Sequence, residues 1–318
     1  MNSESPLVSI VTPSYNKGAY IKETILSVRN QTYPRIEHIV TDAGSTDGTL
    51  DILRKYNDRL TWVSEPDKGQ SDAINKGWRM AKGDILGSIN ADDTYLPSAV
   101  QTAVDFLTRN PDVSLVYGKC DFTDEQGHKV REFPTGDFNL AAYVRGPNII
   151  PTPTVFFRAG ILDEVGYLDT SLHFSMDYDL HIRIGLRHRI AYIPKLMATY
   201  RFCAGSKTTA EFLRFGPDCM IIMNRVYSGS DIPETVLKVK RQAYGNAHLQ
   251  MGLYHWEQGQ IGQARADFAK ALILDTRRTL SNRWYIPYVG VSLLGTSLAT
   301  RLLQLKRRVW KTPGSVSS

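Results

Sequence analysis

At 318 residues, 42% hydrophobic and 22% charged, the chain can bury a full-sized core and is composed like an ordinary soluble globular protein, which argues against a disordered or low-complexity chain. Its three cysteines (Cys120, Cys203 and Cys219) show neither CxxC nor metal-ligand spacing; a disulfide framework is not expected, and a reducing compartment is. The net charge of +6 comes largely from Lys306, Arg307, Arg308 and Lys311. Such a run suits an anionic membrane surface or plain solvation, and with no RNA- or DNA-binding motif beside it no nucleic-acid partner is expected.

The N-terminal MNSESPLVSIV lacks a basic region followed by a long apolar stretch, so no cleaved signal peptide is expected and the chain is assigned to the cytoplasm. Leu7 to Thr12 is a β-branched apolar run that predicts a strand. Ile21, Ile25 and Val28 then recur at helical spacing. Ile36 to Thr41 predicts a second strand, followed by a loop and a helix carrying Leu50 and Leu53. Leu60 to Ser64 predicts a third strand, Asp72 to Lys82 a helix with Ile74, Trp78 and Ala81 on its apolar face, Asp84 to Ile89 a fourth strand and Val113 to Tyr117 a fifth. This alternation predicts an α/β fold with a mostly parallel sheet covered by helices.

Beyond residue 120 the alternation weakens. Phe122 to Phe133 reads as a hairpin turning at Glu125-Gln126-Gly127, and Thr154 to Arg158 and Arg189 to Pro194 as short strands flanking a helix from about Tyr178 to Arg187. From about residue 235 the chain turns helical, and Gly252, Gly259, Ala264, Phe268 and Ala271 carry the spacing of one tetratricopeptide-like unit. One such unit builds no solenoid, so a packed helical hairpin is expected rather than a partner-binding array. Trp284 to Thr300 is uncharged and apolar but broken by Pro287, Gly290 and Gly295. With Leu302, Leu303, Leu305 and Trp310 among basic residues, it reads as an interfacial helix at a membrane surface, ahead of packing on the protein itself and of a true span.

In open α/β sheets ligands bind outside the carboxyl ends of the strands. Three polar, turn-rich stretches lie there: TPSYN after strand one, DAGSTDGT after strand two and NADD after strand four. Pro13 and Asn16 suit a turn, while Tyr15 offers a flat ring to a nucleobase. Ser45 or Asp47 can cap the next helix, leaving Asp42 free to accept from a base or ribose. In EPDKGQSDAINKG, Gly69 allows close backbone approach, Ser71 or Asp72 can cap the helix, and Lys68 beside a helix N-terminus suits a phosphate. The adjacent Asp92 and Asp93 fit either a capped turn before Tyr95-Leu96-Pro97 or a hard divalent cation, Mg²⁺ or Mn²⁺, shared with substrate phosphate oxygens.

Taken together, VTPSYN, DAGSTDGT, DKGQSDAINKG and NADD resemble the donor-binding half of family 2 (GT2) glycosyltransferases, which have a GT-A fold; the similarity runs from about Pro6 to Thr208. The resemblance implies a nucleotide-diphosphate sugar donor, most commonly a UDP-sugar, and transfer with inversion at the anomeric carbon. It places Pro13, Tyr15 and Asp42 around base and ribose, Asp92 near ribose and phosphates, and Asp93 on the metal. Within HFSMDYDLHIRI, Met176 stands where relatives commonly have Glu, and Asp177 matches the family's acidic residue, implying the general base; Asp179, Leu180 and Arg183 match the later positions of that motif. In YRFCAGSKT, Cys203 replaces a common His, and Lys207 is the candidate for positive charge over the diphosphate. The Q-x-x-R-W motif of processive synthases is missing, which favours addition of a single sugar.

The expected organisation is a GT-A domain over 1–215 (nucleotide-sugar half 1–118, acceptor half 119–215), a helical extension over 216–280, and an amphipathic basic tail over 281–318 that touches the inner face of the plasma membrane. A saccharide or lipid-linked acceptor of bacterial cell-surface polysaccharide or glycolipid synthesis fits such a tail. A sugar-1-phosphate nucleotidyltransferase shares the sheet, but it would carry a Gly-rich, basic first loop where this chain has TPSYN; a non-catalytic helical interaction protein would need no carboxylate constellation.

Overall fold

The computed structural model describes residues 5–202, 214–281 and 286–293. It divides into two units, the first taking residues up to Leu140 with Asn148–Phe202, the second Ala141–Pro147 with the residues after Phe202.

The first unit runs β1 (Val8–Ser14), α1 (Ile21–Arg29), β2 (Ile36–Asp42), α2 (Thr49–Arg54), β3 (Thr61–Ser64), α3 (Gln70–Met80), β4 (Ile85–Ser88), β5 (Thr94–Tyr95), α4 (Ala99–Arg109), β6 (Val113–Thr123) and β7 (Lys129–Glu132). After the start of α5 (Leu140–Val144) come a 3₁₀ turn at Thr152–Thr154, β8 (Phe156–Arg158), α6 (Ile161–Val165), α7 (Met176–Gly185) and β9 (Arg189–Arg201). Nine strands make one sheet in the order β3-β2-β1-β4-β8-β6-β9-β5, with β7 on β6.

The sheet is mostly parallel, as expected, with three short antiparallel strands added. β3, β2, β1 and β4 are mutually parallel, each joined to the next in sequence through a helix. β8 then enters between β4 and β6 antiparallel to both, and β5 and β7 pair antiparallel with β9 and β6. The crossover rhythm that keeps strands parallel stops after β4, and with it the sequence signal for a parallel sheet. Two predicted strands are also longer than expected: β6 continues to Thr123 and β9 to Arg201, and the two pair in parallel along their length. Period-2 alternation misses β6 because both its faces are covered; it is buried at every position but Lys119.

One face of the sheet packs Val8, Ile10, Ile85, Val116 and Phe156 against Val100, Ala103, Val104 and Leu107 of α4. These α4 positions recur at three- and four-residue spacing, so one stripe of the helix is buried. Burying each such Val or Leu contributes roughly 1.5–3 kcal/mol before entropy is counted. A second cluster joins Ile21 and Ile25 of α1 to Val40, Leu53, Leu60 and Ala91. Ala91 thereby anchors the turn that carries the two aspartates.

In the second unit, α5 is followed by α8 (Gly216–Ser228), α9 (Glu234–Leu237), α10 (Lys240–Glu257), α11 (Ile261–Leu274), α12 (Thr276–Ser281) and α13 (Ile286–Leu293). α10 and α11 form a hairpin around Leu249, Leu253, Ala264, Phe268 and Ala271. Gly252 is what lets them approach, since a Cβ there would stand 2.5 Å from the Phe268 ring. Asp267 accepts from both His248 and His255, each 2.8 Å away through Nδ1, and pins the helices at a second level. In α13, Val289 is buried against this core and Tyr288 meets the Trp256 ring edge-on at 6.0 Å. This part of the apolar stretch therefore packs on its own unit. Trp284, Tyr285 and residues 294–318, on which the interfacial reading also rests, lie outside the described residues. No helix among the described residues is long and apolar enough to cross a membrane.

Candidate active site

The parallel register brings the first two polar loops together. Ser14 pairs with Asp42 and Asp42 with Ser64, so β1, β2 and β3 end at one level. Asp42 is 2% exposed and heavily engaged. It accepts from the backbone N–H groups of Gly44 and Ser45 at 3.0 and 2.9 Å, from Ser64 Oγ at 2.8 Å, and from Ser45 Oγ. These bonds shape the DAGST turn and hold the carboxylate at the strand end. Beside it, Ser14 Oγ is buried with no hydrogen-bond partner among the described residues, the type of atom a polar ligand satisfies.

Asn16 links the first loop to the second. Its backbone is left-handed at φ 50°, its N–H donates to Ser45 Oγ at 2.8 Å, and its Oδ1 accepts from Thr46 N–H at 2.9 Å. Asn tolerates this conformation, and its Oδ1 stitches loop one to loop two. The capping question resolves similarly: Asp47, not Ser45, accepts from Thr49 at the start of α2, and it also accepts from Gly18 N–H at 2.9 Å. Tyr15 is left 60% exposed above the stitched loops, whereas Pro13 is buried in β1.

α3 begins at Gln70, two residues earlier than the sequence pattern suggests, with Gly69 at φ 108° as its N-cap. Neither Ser71 nor Asp72 occupies that position; Asp72 reaches back to accept from Lys68 N–H at 3.1 Å, in the manner of a capping-box acid. The Lys68 residue is exposed. Gln70 donates to Asn90 Oδ1 at 2.7 Å, which ties the start of α3 to the end of β4.

The two aspartates have different surroundings. Asp93 is 1% exposed. Its Oδ1 accepts from Arg201 N–H and its Oδ2 from Asn90 Nδ2, both at 2.9 Å. Burial, reinforced by the charge of Asp92, pushes its carboxyl well above the usual range, with Arg201 N–H, Asn90 and Lys17 pulling the other way. Asp92 turns to Lys17, whose Nζ lies 2.5 Å from Oδ2. Arg201 braces the pair: its Nε donates to Asp92 O at 3.0 Å, its other nitrogens reach Glu125 O and Glu23, and its guanidinium lies over the Tyr20 ring.

Asp177 is the second residue of α7 and is half-buried. Its Oδ2 accepts from Thr152 Oγ1 at 2.8 Å and from Asn148 Nδ2 at 3.3 Å, and its Oδ1 from Tyr178 N–H at 2.8 Å. The 3₁₀ turn that supplies Thr152 packs on β4 and β5, which flank the Asp92–Asp93 turn. Asp179, by contrast, is buried in an ion pair with Arg183 at 2.8 Å. His181 is buried and held neutral, its pKa lowered to about 4 mainly by burial. Lys207 and Cys203 lie outside the described residues.

The first loop, the second loop, the start of α3, the Asp92–Asp93 turn and the end of β9 thus form one hydrogen-bonded constellation. Sequence patterns do not single out Ser14, Ser45, Ser64, Lys17, Arg201, Thr152 or Asn148 for the site. Ser14, Ser45 and Lys17 lie inside or beside the quoted motifs, but as side chains they are ordinary turn and surface residues. The described residues hold no cluster of three His, Cys, Asp or Glu side chains able to bind a metal. Asp93 is held by Asn90 and Arg201 N–H, while Asp92 carries a cationic group, Lys17. A Mg²⁺ or Mn²⁺ held by one carboxylate plus diphosphate oxygens and water fits that donor set.

Residues 9–165 match the family model "Glycosyl transferase family 2". An uncharacterized glycosyltransferase of Rickettsia typhi is 30% identical over 187 residues, 56% of this chain and 58% of its own length. The chain therefore spans little more than half of that relative. One from Mycobacterium tuberculosis is 32% identical over 187 residues, 58% of this chain and 71% of its own. Among solved structures, Staphylococcus aureus TarS 1-349 in complex with UDP-GlcNAc superposes with a TM-score of 0.65 at 18% identity, covering 95% of this chain and 92% of its own. The mannosyltransferase PcManGT from Pyrobaculum calidifontis, in complex with GDP-Man and Mn²⁺, gives 0.62 at 19% identity, covering 98% and 89%. The fold is the GT-A fold of those enzymes, and the chain belongs to glycosyl transferase family 2.

Proposed function

We propose that the chain moves a single sugar from a nucleoside-diphosphate sugar to an acceptor hydroxyl, with inversion at the anomeric carbon. The observation that carries this reading is Asp177: a half-buried carboxylate on α7 oriented by Tyr178, Asn148 and Thr152, the last on a 3₁₀ turn packed against the strands that flank Asp92. The bound nucleotide sugars of the two solved neighbours support a donor of this class.

In this reading Tyr15 and Pro13 border the base, and Asp42 with the unpartnered Ser14 hydroxyl meets the base or ribose. Lys68, Gly69 and the start of α3, with Asp72 shaping that turn, face the phosphates, and Lys207 adds positive charge. Asn16 positions the first two loops. Asp177 takes the proton of the acceptor hydroxyl as its oxygen bonds to the anomeric carbon. The bond from that carbon to the diphosphate breaks, and its electron pair leaves with the nucleoside diphosphate. A positioned base of this type is worth about 10²- to 10⁴-fold. We assign the cation to Asp92, with Asp93 holding the turn from inside. Mg²⁺ or Mn²⁺ there would supply Lewis-acid stabilisation of the negative charge that develops on the leaving diphosphate. A saccharide or lipid-linked acceptor at the inner face of the plasma membrane, in cell-surface polysaccharide or glycolipid synthesis, fits the basic 281–318 tail.

The test is a panel of UDP-, GDP- and dTDP-sugars, scored for slow donor hydrolysis and for transfer to lipid-extract acceptors. One donor should be turned over by the wild-type chain, and Asp177→Asn should lose that turnover at least about 10²-fold while keeping nucleotide binding. Full activity in Asp177→Asn removes the base assignment, and inertness toward every donor removes the reading as a whole.

A further inference from the structure

Lys17 adjoins the TPSYN loop in sequence and has no part in the donor contacts described above. Its backbone is held at both ends. Its N–H donates to Thr49 Oγ1 at 3.0 Å, and its carbonyl accepts from the N–H groups of Tyr20 and Ile21 at the start of α1, both at 2.9 Å. From that anchor the side chain delivers Nζ to within 2.5 Å of Asp92 Oδ2, with side-chain exposures of 32% for Lys17 and 11% for Asp92. Neighbouring carboxylates do not compete for it. Asp93 is bound by Asn90 and Arg201, and Asp47 by Gly18 and Thr49. The Arg201 guanidinium goes to Asp92 O, Glu125 O and Glu23 and leaves the Asp92 carboxylate to the lysine.

An ammonium at hydrogen-bonding distance from the carboxylate assigned to a divalent cation occupies that cation's place. We infer that Lys17 is a built-in counter-ion that competes with the divalent cation for Asp92, so that the cation binds strongly only together with a diphosphate. The inference rests on the assignment of the cation to Asp92. A divalent cation on the same partly desolvated carboxylate meets the ammonium's charge at close range, so each weakens the binding of the other. Without a ligand the lysine has the advantage, because its covalent tether makes its pairing intramolecular. A nucleoside diphosphate shifts the balance twice: its oxygens complete the coordination of Mg²⁺ or Mn²⁺, and its negative charge offers the released ammonium a new partner. The flexible four-carbon stem of lysine suits such an exchange, whereas the planar fork of arginine would favour a fixed pair.

The experiment is a Mn²⁺ titration of the full chain, free Mn²⁺ being read by its EPR signal, for wild type, Lys17→Met, Asp92→Asn and the double variant. Each is measured without nucleotide and with saturating UDP or GDP. Without nucleotide, Lys17→Met should bind Mn²⁺ about tenfold more tightly than wild type, the fold-change that one charge-assisted hydrogen bond carries. The gain should vanish in the double variant and should shrink or reverse when the diphosphate is present. Lys17→Gln provides the same comparison if the methionine variant folds poorly. If Lys17→Met and Lys17→Gln bind Mn²⁺ no more tightly than wild type, while Asp92→Asn abolishes nucleotide-dependent binding, the lysine inference fails and the cation assignment stands. If Asp92→Asn binds Mn²⁺ with nucleotide as wild type does, the assignment itself fails and the inference falls with it.

Discussion

Replacing Asp93 should damage the fold and spare the cation, and replacing Asp92 should do the reverse. Asp93→Ala removes the acceptors of two donors, Arg201 N–H and Asn90 Nδ2. Arg201 is 5% exposed, so its N–H cannot turn to water, and an unsatisfied buried donor costs about 1–3 kcal/mol. Asn90 is only half-buried and can rehydrate. Relief of the repulsion with Asp92 acts in the opposite direction. Asp93→Asn separates these effects. Its Oδ1 still accepts from Arg201, but its Nδ2 faces the Nδ2 of Asn90, and the Asn90 amide must flip and surrender Gln70, at a cost of about 1 kcal/mol. At about 2–4 °C per kcal/mol for a unit of this size, Asp93→Ala should melt several degrees lower and Asp93→Asn only slightly lower. Both should keep Mn²⁺ binding in the presence of UDP or GDP, while Asp92→Asn should lose it with little change in melting temperature. The assays are differential scanning fluorimetry and the Mn²⁺ titration. Loss of Mn²⁺ in Asp93→Asn at an unchanged melting temperature, with Asp92→Asn still binding, would refute the division.

Thr152→Val keeps the side-chain shape but removes the 2.8 Å bond to Asp177. Turnover should fall about tenfold with nucleotide affinity unchanged, and Thr152→Ser should restore it. Gly252→Ala places a methyl 2.5 Å from the Phe268 ring; overpacking of this kind costs about 1–3 kcal/mol, and an unaltered melting temperature would show that the helices part freely. His38 is buried against Thr12 Oγ1, and burial lowers its pKa from 6.5 to about 4. Between those values the unfolded chain takes up a proton that the native state refuses. His38 therefore contributes stability above pH 6.5 and loses it as pH falls toward 4, with a slope of up to about 1.4 kcal/mol per unit. Urea midpoints at pH 7 and pH 5 should converge in His38→Gln relative to wild type; an equal drop in both would assign the acid sensitivity elsewhere.

The parallel half of the sheet was legible because its signals are local. Each strand is an apolar run, each helix a three-and-four pattern, and each loop a cluster of turn formers, so β1 to β4 and α1 to α3 can be read a window at a time. The second half turns on pairings between distant segments. β8, three residues long, reads as a strand, but nothing in its sequence tells that it enters between β4 and β6, antiparallel to both. Arg201 lies 108 residues from Asp93, and the backbone N–H it offers looks the same in every sequence.

That difference in range also explains why sequence alone does not tell the inner aspartate from the outer one. Written side by side, they differ by nothing but one position. In the fold, the turn between β4 and β5 sends the two side chains into different surroundings. Asp93 turns inward, where Asn90, only three residues away, and Arg201 from the far end of β9 close around it; Asp92 turns toward the first loop and meets Lys17, 75 residues earlier. Both carboxylates solve the same problem, a negative charge that water no longer fully screens. The inner one solves it with neutral donors and a raised proton affinity, the outer one with a cation that can be exchanged. Neutral donors from the fold cannot be removed without unfolding the turn, so the inner residue is suited to structure. A lysine on a flexible stem can leave, so the outer residue is the one whose charge is available to a ligand.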